Sequence, residues 1–141
     1  MLVLRRTLLP ALLLLVVSCG VTLIAPYDPE IDRGCVELHG RMDRFLHGLR
    51  SEPQATFVDS LDYYDHYELD VRALRFLARG HDQNDLSVQQ FDNMLASLEQ
   101  LRLAHSAGPL APETADVLRD LFDISWSAIR RLELAKKRGD G

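Results

Sequence analysis

Apolar residues recur at alternating spacings of four and three over most of the chain after residue 28. Before the first such stripe, Asp28, Pro29 and Glu30 provide a capping side chain, a proline at the first helical position and an acid near the positive end of the dipole. This pattern predicts a first helix that ends near Ser51, ahead of the helix breaker Pro53. Its apolar face consists of Ile31, Cys35, Leu38, Met42, Phe45 and Leu49.

Two further helices follow with the same period. Thr56 is placed to cap the second helix, and Gly80 ends it. The apolar face of this helix consists of Phe57, Leu61, Tyr64, Tyr67, Val71, Leu74 and Ala78. Ser87 with Gln90 three residues later forms a capping-box pattern at the start of the third helix, which Gly108 ends. The apolar face of the third helix consists of Phe91, Met94, Leu95, Leu98, Leu101 and either Ala104 or His105.

A fourth helix begins at Pro112 and Glu113, for the same reasons that apply to the first. Its last turn is basic, which suits the negative end of the helix dipole, and Gly139 ends it. The residues predicted to face inward are Leu118, Leu121, Phe122, Ser125, Ala128, Ile129, Leu132 and Ala135. No stretch of useful length alternates with a period of two, so no strand is predicted.

Four helices joined by short connections favour antiparallel neighbours. The predicted fold class is therefore all-α: an up-down-up-down four-helix bundle over residues 28–141, about 35 Å long at a rise of 1.5 Å per residue. An even number of helices brings the C-terminus back to the end of the bundle at which the chain enters it.

The residues ahead of the bundle have the composition of an export signal. Arg5 and Arg6 precede an apolar run over residues 8–17, which is too short to cross a membrane, since a spanning helix needs about 20 residues. The run ends in the tetrapeptide VVSC at residues 16–19. An aliphatic residue three positions before a cysteine, with a small residue directly before it, resembles the lipobox of bacterial lipoproteins.

This resemblance implies that residues 1–18 are a lipoprotein signal peptide that is removed, and that Cys19 carries a diacylglyceryl group and usually a further acyl chain. Residues 19–27 would then tether the bundle to the membrane, which two or three acyl chains hold firmly. Gly20 stands where inner-membrane lipoproteins typically carry Asp, so the resemblance favours the outer membrane, with the bundle facing the periplasm. The alternative is an uncleaved transmembrane helix over residues 7–25.

The charge balance is acidic. The chain has 16 Lys and Arg residues against 21 Asp and Glu residues, a net charge of −5, and removal of the two arginines in residues 1–18 would make it −7. An acidic protein is a poor partner for nucleic acid, which needs a basic surface. It also gains little from anionic lipid, so the acyl chains must provide the attachment. We therefore expect an envelope protein as partner, with the membrane held through lipid.

If Cys19 carries lipid, Cys35 is the only free thiol and an intramolecular disulfide is excluded. A buried position is expected for Cys35, with a reactive thiol or an intermolecular bridge as the alternative. His39 follows it by four residues, a spacing that suits two zinc ligands, and Asp43 and His47 continue the series. Because each four-residue step drifts by about 40° around a helix, these side chains do not converge on one site.

The segment DYYDHYELD in the second helix combines four acids, three tyrosines and a histidine. Asp62, His66 and Asp70 share a helix face, which would suit a metal site with oxygen and nitrogen ligands. However, the Glu-x-x-His motifs of di-iron bundles are absent from the sequence, and the prediction is a solvated acidic face without cofactor. The alternative is a partner-binding patch that includes Tyr63 and Tyr67, since tyrosine is enriched at interfaces.

Trp126, the only tryptophan, lies at the margin of the fourth apolar stripe. A half-buried position is expected, with an exposed anchor for a partner as the alternative. The sequence contains no glycine-rich phosphate loop, nucleophile elbow or zinc-protease motif, so no enzymatic activity is predicted. The predicted function is a lipid-anchored, non-catalytic protein-interaction module of the cell envelope. A small-ligand or metal-binding bundle and an inhibitor or immunity-type lipoprotein are the alternatives.

Overall fold

Four α-helices account for most of residues 25–139, which are the residues that the computed structural model describes. They are α1 (Pro29–Ser51), α2 (Leu61–Arg79), α3 (Asp85–Ser106) and α4 (Pro112–Gly139). The predicted signal peptide and the lipid-attachment residue Cys19 lie outside the described residues. Within residues 25–139 there is no strand, so the predicted all-α fold is confirmed. No helix in this range has both the length and the apolar character that a membrane span requires.

Each helix packs against the next one along the chain, and α1 packs most extensively against α4. Short connections make neighbouring helices antiparallel. The predicted up-down-up-down four-helix bundle is thus confirmed. The start of α1, the end of α2, the start of α3 and the end of α4 meet at what we call the entry end, where the chain enters the bundle. A contact of 2.8 Å between His81 Nε2 and Asp28 Oδ2 joins the α2–α3 connection to the start of α1.

The start of α1 agrees with its sequence. Asp28 Oδ1 accepts hydrogen bonds from the backbone N–H groups of Glu30 and Ile31, at 2.8 and 3.3 Å. These are two of the donors that the first turn of a helix leaves without a partner. Pro29 occupies the first helical position, and α1 ends at Ser51 as predicted.

The structure corrects the predicted starts of α2 and α3. Thr56 Oγ1 accepts from the Asp59 backbone N–H at 3.3 Å, within a short 3-10 turn (Val58–Ser60) ahead of α2, so Thr56 does not cap α2 itself. The helix α3 begins at Asp85, two residues before the predicted cap Ser87. The hydroxyl of Ser87 is buried and donates to Glu133 of α4 at 2.9 Å. The capping-box pattern predicts that the Ser87 hydroxyl bonds to the backbone of α3, but this hydroxyl bonds to a side chain of α4 instead.

The inward face of α4 also differs from the prediction. Trp126 is completely buried rather than half-buried, and its indole N–H donates to the hydroxyl of Tyr67 at 3.0 Å. With this orientation Glu133 and Lys136 face the core as well. The buried residues of α4 are Ala115, Phe122, Trp126, Ile129, Glu133 and Lys136. Two residues that were predicted to face inward are exposed instead, namely Leu121 and Ala135.

Candidate functional site

Tyr67 and Trp126, two of the three residues suggested as partner contacts, lie in the core without exposed surface. The Tyr67 hydroxyl donates to the Leu38 carbonyl at 3.1 Å and accepts from Trp126. Both polar groups are thus satisfied inside the bundle. The suggestion that these two side chains are exposed to a partner is therefore wrong for this conformation.

The third suggested contact, Tyr63, is half-buried. Its ring stacks on Phe45 with the centroids 3.8 Å apart, and its hydroxyl lies 4.0 Å from Met42 Sδ. Phe45 was predicted to be a core residue of α1, but Leu46 takes the fully buried position. Burial raises the pKa of Tyr63 above that of a free tyrosine. Tyr63 therefore takes part in the aromatic contact between α1 and α2 and keeps some exposed surface.

The sequence allowed either Ala104 or His105 as the last inward residue of α3, and His105 is the one that is buried. Its Nε2 lies 3.1 Å from the Ala55 carbonyl oxygen and its Nδ1 lies 3.0 Å from the Tyr64 hydroxyl. Because a carbonyl can only accept, Nε2 carries a proton and donates to Ala55. Both ring nitrogens are engaged inside the bundle, so His105 has no nitrogen left for a ligand.

The metal candidates on α2 do not converge. His66 Nδ1 lies 3.2 Å from Asp62 Oδ1 on the exposed surface, whereas Asp70 forms an ion pair with Arg41 of α1. The hydrogen bond to the Asp62 carbonyl, followed by the charge of Asp62, raises the pKa of His66. Among residues 25–139, no group of three or more His, Cys, Asp or Glu side chains is arranged to hold a metal ion.

Cys35 is completely buried, as its position in the apolar stripe predicts. Burial raises the pKa of its thiol to about 12, with a further contribution from Glu133. At neutral pH the thiol is therefore protonated, and a protonated buried thiol is a poor nucleophile. His39 contacts α4 instead of Cys35: its Nε2 lies 2.8 Å from Asp123 Oδ1.

A buried polar cluster, formed by Asn84, Ser87, Glu133 and Lys136, joins α3 to α4 at the entry end. The ammonium group of Lys136 donates to Asn84 Oδ1 at 2.6 Å, to Ser87 Oγ at 2.9 Å and to Glu133 Oε1. These three bonds use every proton of the ammonium group. The cluster is thus a buried ion pair that joins two helices, and among its polar atoms Glu133 Oε2 has no hydrogen-bond partner. Sequence reasoning missed it because Lys136 belongs to the basic last turn of α4, which the helix dipole explains, and Ser87 was assigned to a helix cap.

The exposed side of α4 has a different character. Val117, Leu121 and Ile124 are 59%, 54% and 65% exposed and follow one another at spacings of four and three. Ala128 continues this spacing and is partly buried. We call these four residues the α4 apolar row. Scattered exposed apolar residues are ordinary, whereas a contiguous row marks a surface that can bind a partner.

A groove of about 340 Å³ runs beside the α4 apolar row, between α3 and α4. The α4 side is mainly apolar and the α3 side presents a hydroxyl and an amide. Its lining residues are Ser97, Gln100, Leu118, Leu121, Phe122, Ile124 and Ser125. The groove is mostly apolar with a few polar groups, a character that suits binding of an apolar side chain or segment. It was not foreseen because Leu121 was expected in the core.

Comparisons with protein-family models, with curated proteins and with solved structures found no match to this chain.

Proposed function

We propose that this chain is a lipid-anchored lipoprotein of the bacterial cell envelope that binds a protein partner and performs no catalysis of its own. Acyl chains on Cys19 hold it in the outer membrane, and the bundle faces the periplasm. The lipobox-like pattern at residues 16–19 and the glycine that follows the cysteine support this address.

The single observation that carries the interaction role is the α4 apolar row beside its groove. Three large apolar side chains of one helix stand in solvent at a spacing that places them on one face. Leaving a Leu or Ile side chain in water forgoes about 1.5 to 3 kcal/mol that burial would contribute. A row that exposes this much apolar surface gains free energy when a partner covers it, and no reaction chemistry is required.

The anchor is tested by intact-mass measurement on the full chain recovered from bacterial membranes. We expect the wild type to lack residues 1–18 and to carry added acyl mass, and we expect Cys19→Ala to be unprocessed and unlipidated. Cys35→Ala is the matched control and should keep the lipid, because its sulfur is buried. An unmodified N-terminus in the wild type would contradict the proposed anchor.

The partner-binding role is tested by a photo-crosslinking amino acid placed at Ile124 of the full chain in living cells. The matched control position is Phe76 of α2, which is 76% exposed and equally apolar. We expect one discrete crosslinked product from position 124 and none from position 76. Products of equal intensity at both positions, or none at either, would contradict this role.

A further inference from the structure

The α4 apolar row has the geometry of one side of a coiled coil. Residues 117, 121, 124 and 128 follow one another at spacings of four, three and four. Such a row stays on one helix face and interlocks with the side chains of a second helix that lies along it. The row covers eleven residues after its first, about 16 Å at 1.5 Å per residue, which matches three turns of a partner helix.

Acidic residues flank this row at the same period. Glu113 and Asp120 are seven residues apart: Asp120 directly precedes Leu121, and Glu113 stands about one turn before Val117. Both are exposed and neither forms an ion pair within residues 25–139, although the charge of Glu113 acts on Arg50. Position 131, where the row would continue, is occupied by Arg131 and therefore ends the row. In coiled coils, charges at these flanking positions determine which partner is accepted and in which orientation.

The opposite wall of the groove is neutral. Ser97 and Gln100 of α3 line it, and the Ser97 hydroxyl already donates to the Asn93 carbonyl at 3.0 Å. The other two acids of this part of α4 are engaged with α1: Asp116 with Arg50 at 2.8 Å and Asp123 with His39 at 2.8 Å. The acids beside the α4 apolar row that have no ion-pair partner among the described residues are therefore Glu113 and Asp120, and they lie on the side of the row away from the groove.

We propose that this groove binds an amphipathic helix of another protein, with an apolar row at spacings of four and three and with Lys or Arg residues beside it. This inference rests on the proposed function and names the class of its partner. A second copy of the chain is a poorer occupant, because two α4 helices packed antiparallel through this row would bring their acidic flanks together, and like charges at such positions are destabilising.

The probe is a designed helical peptide of 21 residues, about six turns, with leucines at spacings of four and three and lysines on both flanks. Its matched control carries glutamates in place of the lysines. Binding is followed by fluorescence anisotropy of the labelled peptides with the full chain in zwitterionic nanodiscs, and empty nanodiscs provide the blank. We expect the lysine peptide to bind at least about tenfold more tightly than the glutamate peptide, with an advantage that shrinks as salt rises.

Variants locate the binding surface. Ile124→Asp should weaken binding of the lysine peptide by at least about tenfold. Phe76→Asp makes the same change on the exposed side of α2 and should have no effect. Asp120→Lys should reverse the preference toward the glutamate peptide. All three positions are exposed, so the variants should fold, and circular dichroism spectra that match the wild type check this.

The inference is overturned if the lysine peptide does not bind at about 1 mM, if both peptides bind equally, or if Phe76→Asp weakens binding as much as Ile124→Asp. Sedimentation of the full chain as a dimer that Ile124→Asp dissociates would assign the row to a second copy and also overturn it. Failure of the lipid anchor leaves peptide binding unchanged, whereas failure of peptide binding leaves the anchor and the crosslink at position 124 intact. The two proposals can therefore fail separately.

Discussion

At the scale of single residues, Trp126 determines which side of α4 faces the core. Its ring is the largest buried side chain of the bundle, and its N–H group requires a partner that Tyr67 supplies. Burial of an aromatic ring of this size outweighs the burial of one leucine. The inward orientation of Trp126 thus accompanies the exposure of Leu121, and a core residue indirectly creates the candidate docking surface.

Cys35 provides a prediction at this scale. Its pKa is raised to about 12 in the folded state from an ordinary value of 9.0, so the folded state keeps the proton at pH values at which the unfolded chain has lost it. Unfolding then releases a proton, and the stabilising contribution of the thiol is complete below about pH 8 and falls as pH rises above 9. We expect the difference in free energy of unfolding between wild type and Cys35→Ala to shrink by about 1.4 kcal/mol between pH 8 and pH 10.

The measurement is urea unfolding of both proteins at the two pH values. The buried tyrosines ionise in the same direction, but they are common to both proteins and cancel in the difference. If the difference in free energy of unfolding between the two proteins did not change with pH, the thiol of Cys35 would be accessible to solvent in the folded state.

At the scale of helices, α3 and α4 are joined differently at their two ends. The entry end is closed by the buried polar cluster of Asn84, Ser87, Glu133 and Lys136. Farther from the entry end, the groove opens between the two helices and only small or polar side chains line its α3 wall. A fixed end and an open stretch on the same pair of helices allow a partner to occupy the groove without separating the bundle.

The buried ion pair gives the prediction for this scale. Lys136→Met should lower the free energy of unfolding by about 3 to 5 kcal/mol, because it leaves the Glu133 carboxylate buried without its counter-charge. Lys136→Met combined with Glu133→Leu should recover most of this loss, since an apolar pair needs no compensation. Lys137→Met, one residue along on the exposed side, is the control and should cost less than about 1 kcal/mol.

Chemical denaturation of the three variants provides the comparison. If Lys136→Met proved as mild as Lys137→Met, the pair would not be buried in solution. If the double variant proved as unstable as Lys136→Met alone, the shape of the cluster, rather than its charge, would be what holds α3 to α4.

At the scale of the whole molecule, the fold orients the bundle relative to its proposed anchor. The chain enters at Ala25, six residues after Cys19, and a fully extended segment of six residues reaches about 20 Å. If Cys19 carries the proposed lipid, the entry end lies close to the bilayer, and the connection between α1 and α2 lies at the opposite end. In that case the groove on the side of the bundle faces along the membrane.

This orientation is tested by energy transfer from a labelled cysteine to acceptors on lipid headgroups. The cysteine is introduced at Gln83, in the connection at the entry end, or at Gln54, at the far end; both are exposed. With about 28 Å of helix between the two ends, transfer should be clearly more efficient from position 83. Cys35 is buried and should not react with the label, and a labelling reaction on the unsubstituted protein checks this. Equal transfer from both positions would contradict the orientation.

Most helices of this protein could be predicted from the order of its residues. Helix number, the capping of α1 by Asp28 and most of the inward faces of α1, α2 and α3 follow from local periodicity and capping, which act within a few residues of the chain; Phe45 and Leu61 are exceptions, since Phe45 is only partly buried and Leu61 is exposed. Even the burial of Cys35 could be read from its place in a stripe. These features depend on interactions between residues that are close in sequence, and the sequence itself shows which residues those are.

The rotation of α4 about its axis and the roles of its polar residues depend on packing between helices that are distant in sequence. Leu121 and Trp126 compete for the core, and the choice depends on a hydroxyl contributed by Tyr67 of another helix. Likewise, the Ser87 hydroxyl donates to the buried Glu133 of α4 instead of capping α3. Periodicity ranks candidates for burial, but it cannot tell which hydrogen-bond partners neighbouring helices will provide. The candidate docking groove arose from that long-range choice, and for this reason it was absent from the sequence pattern.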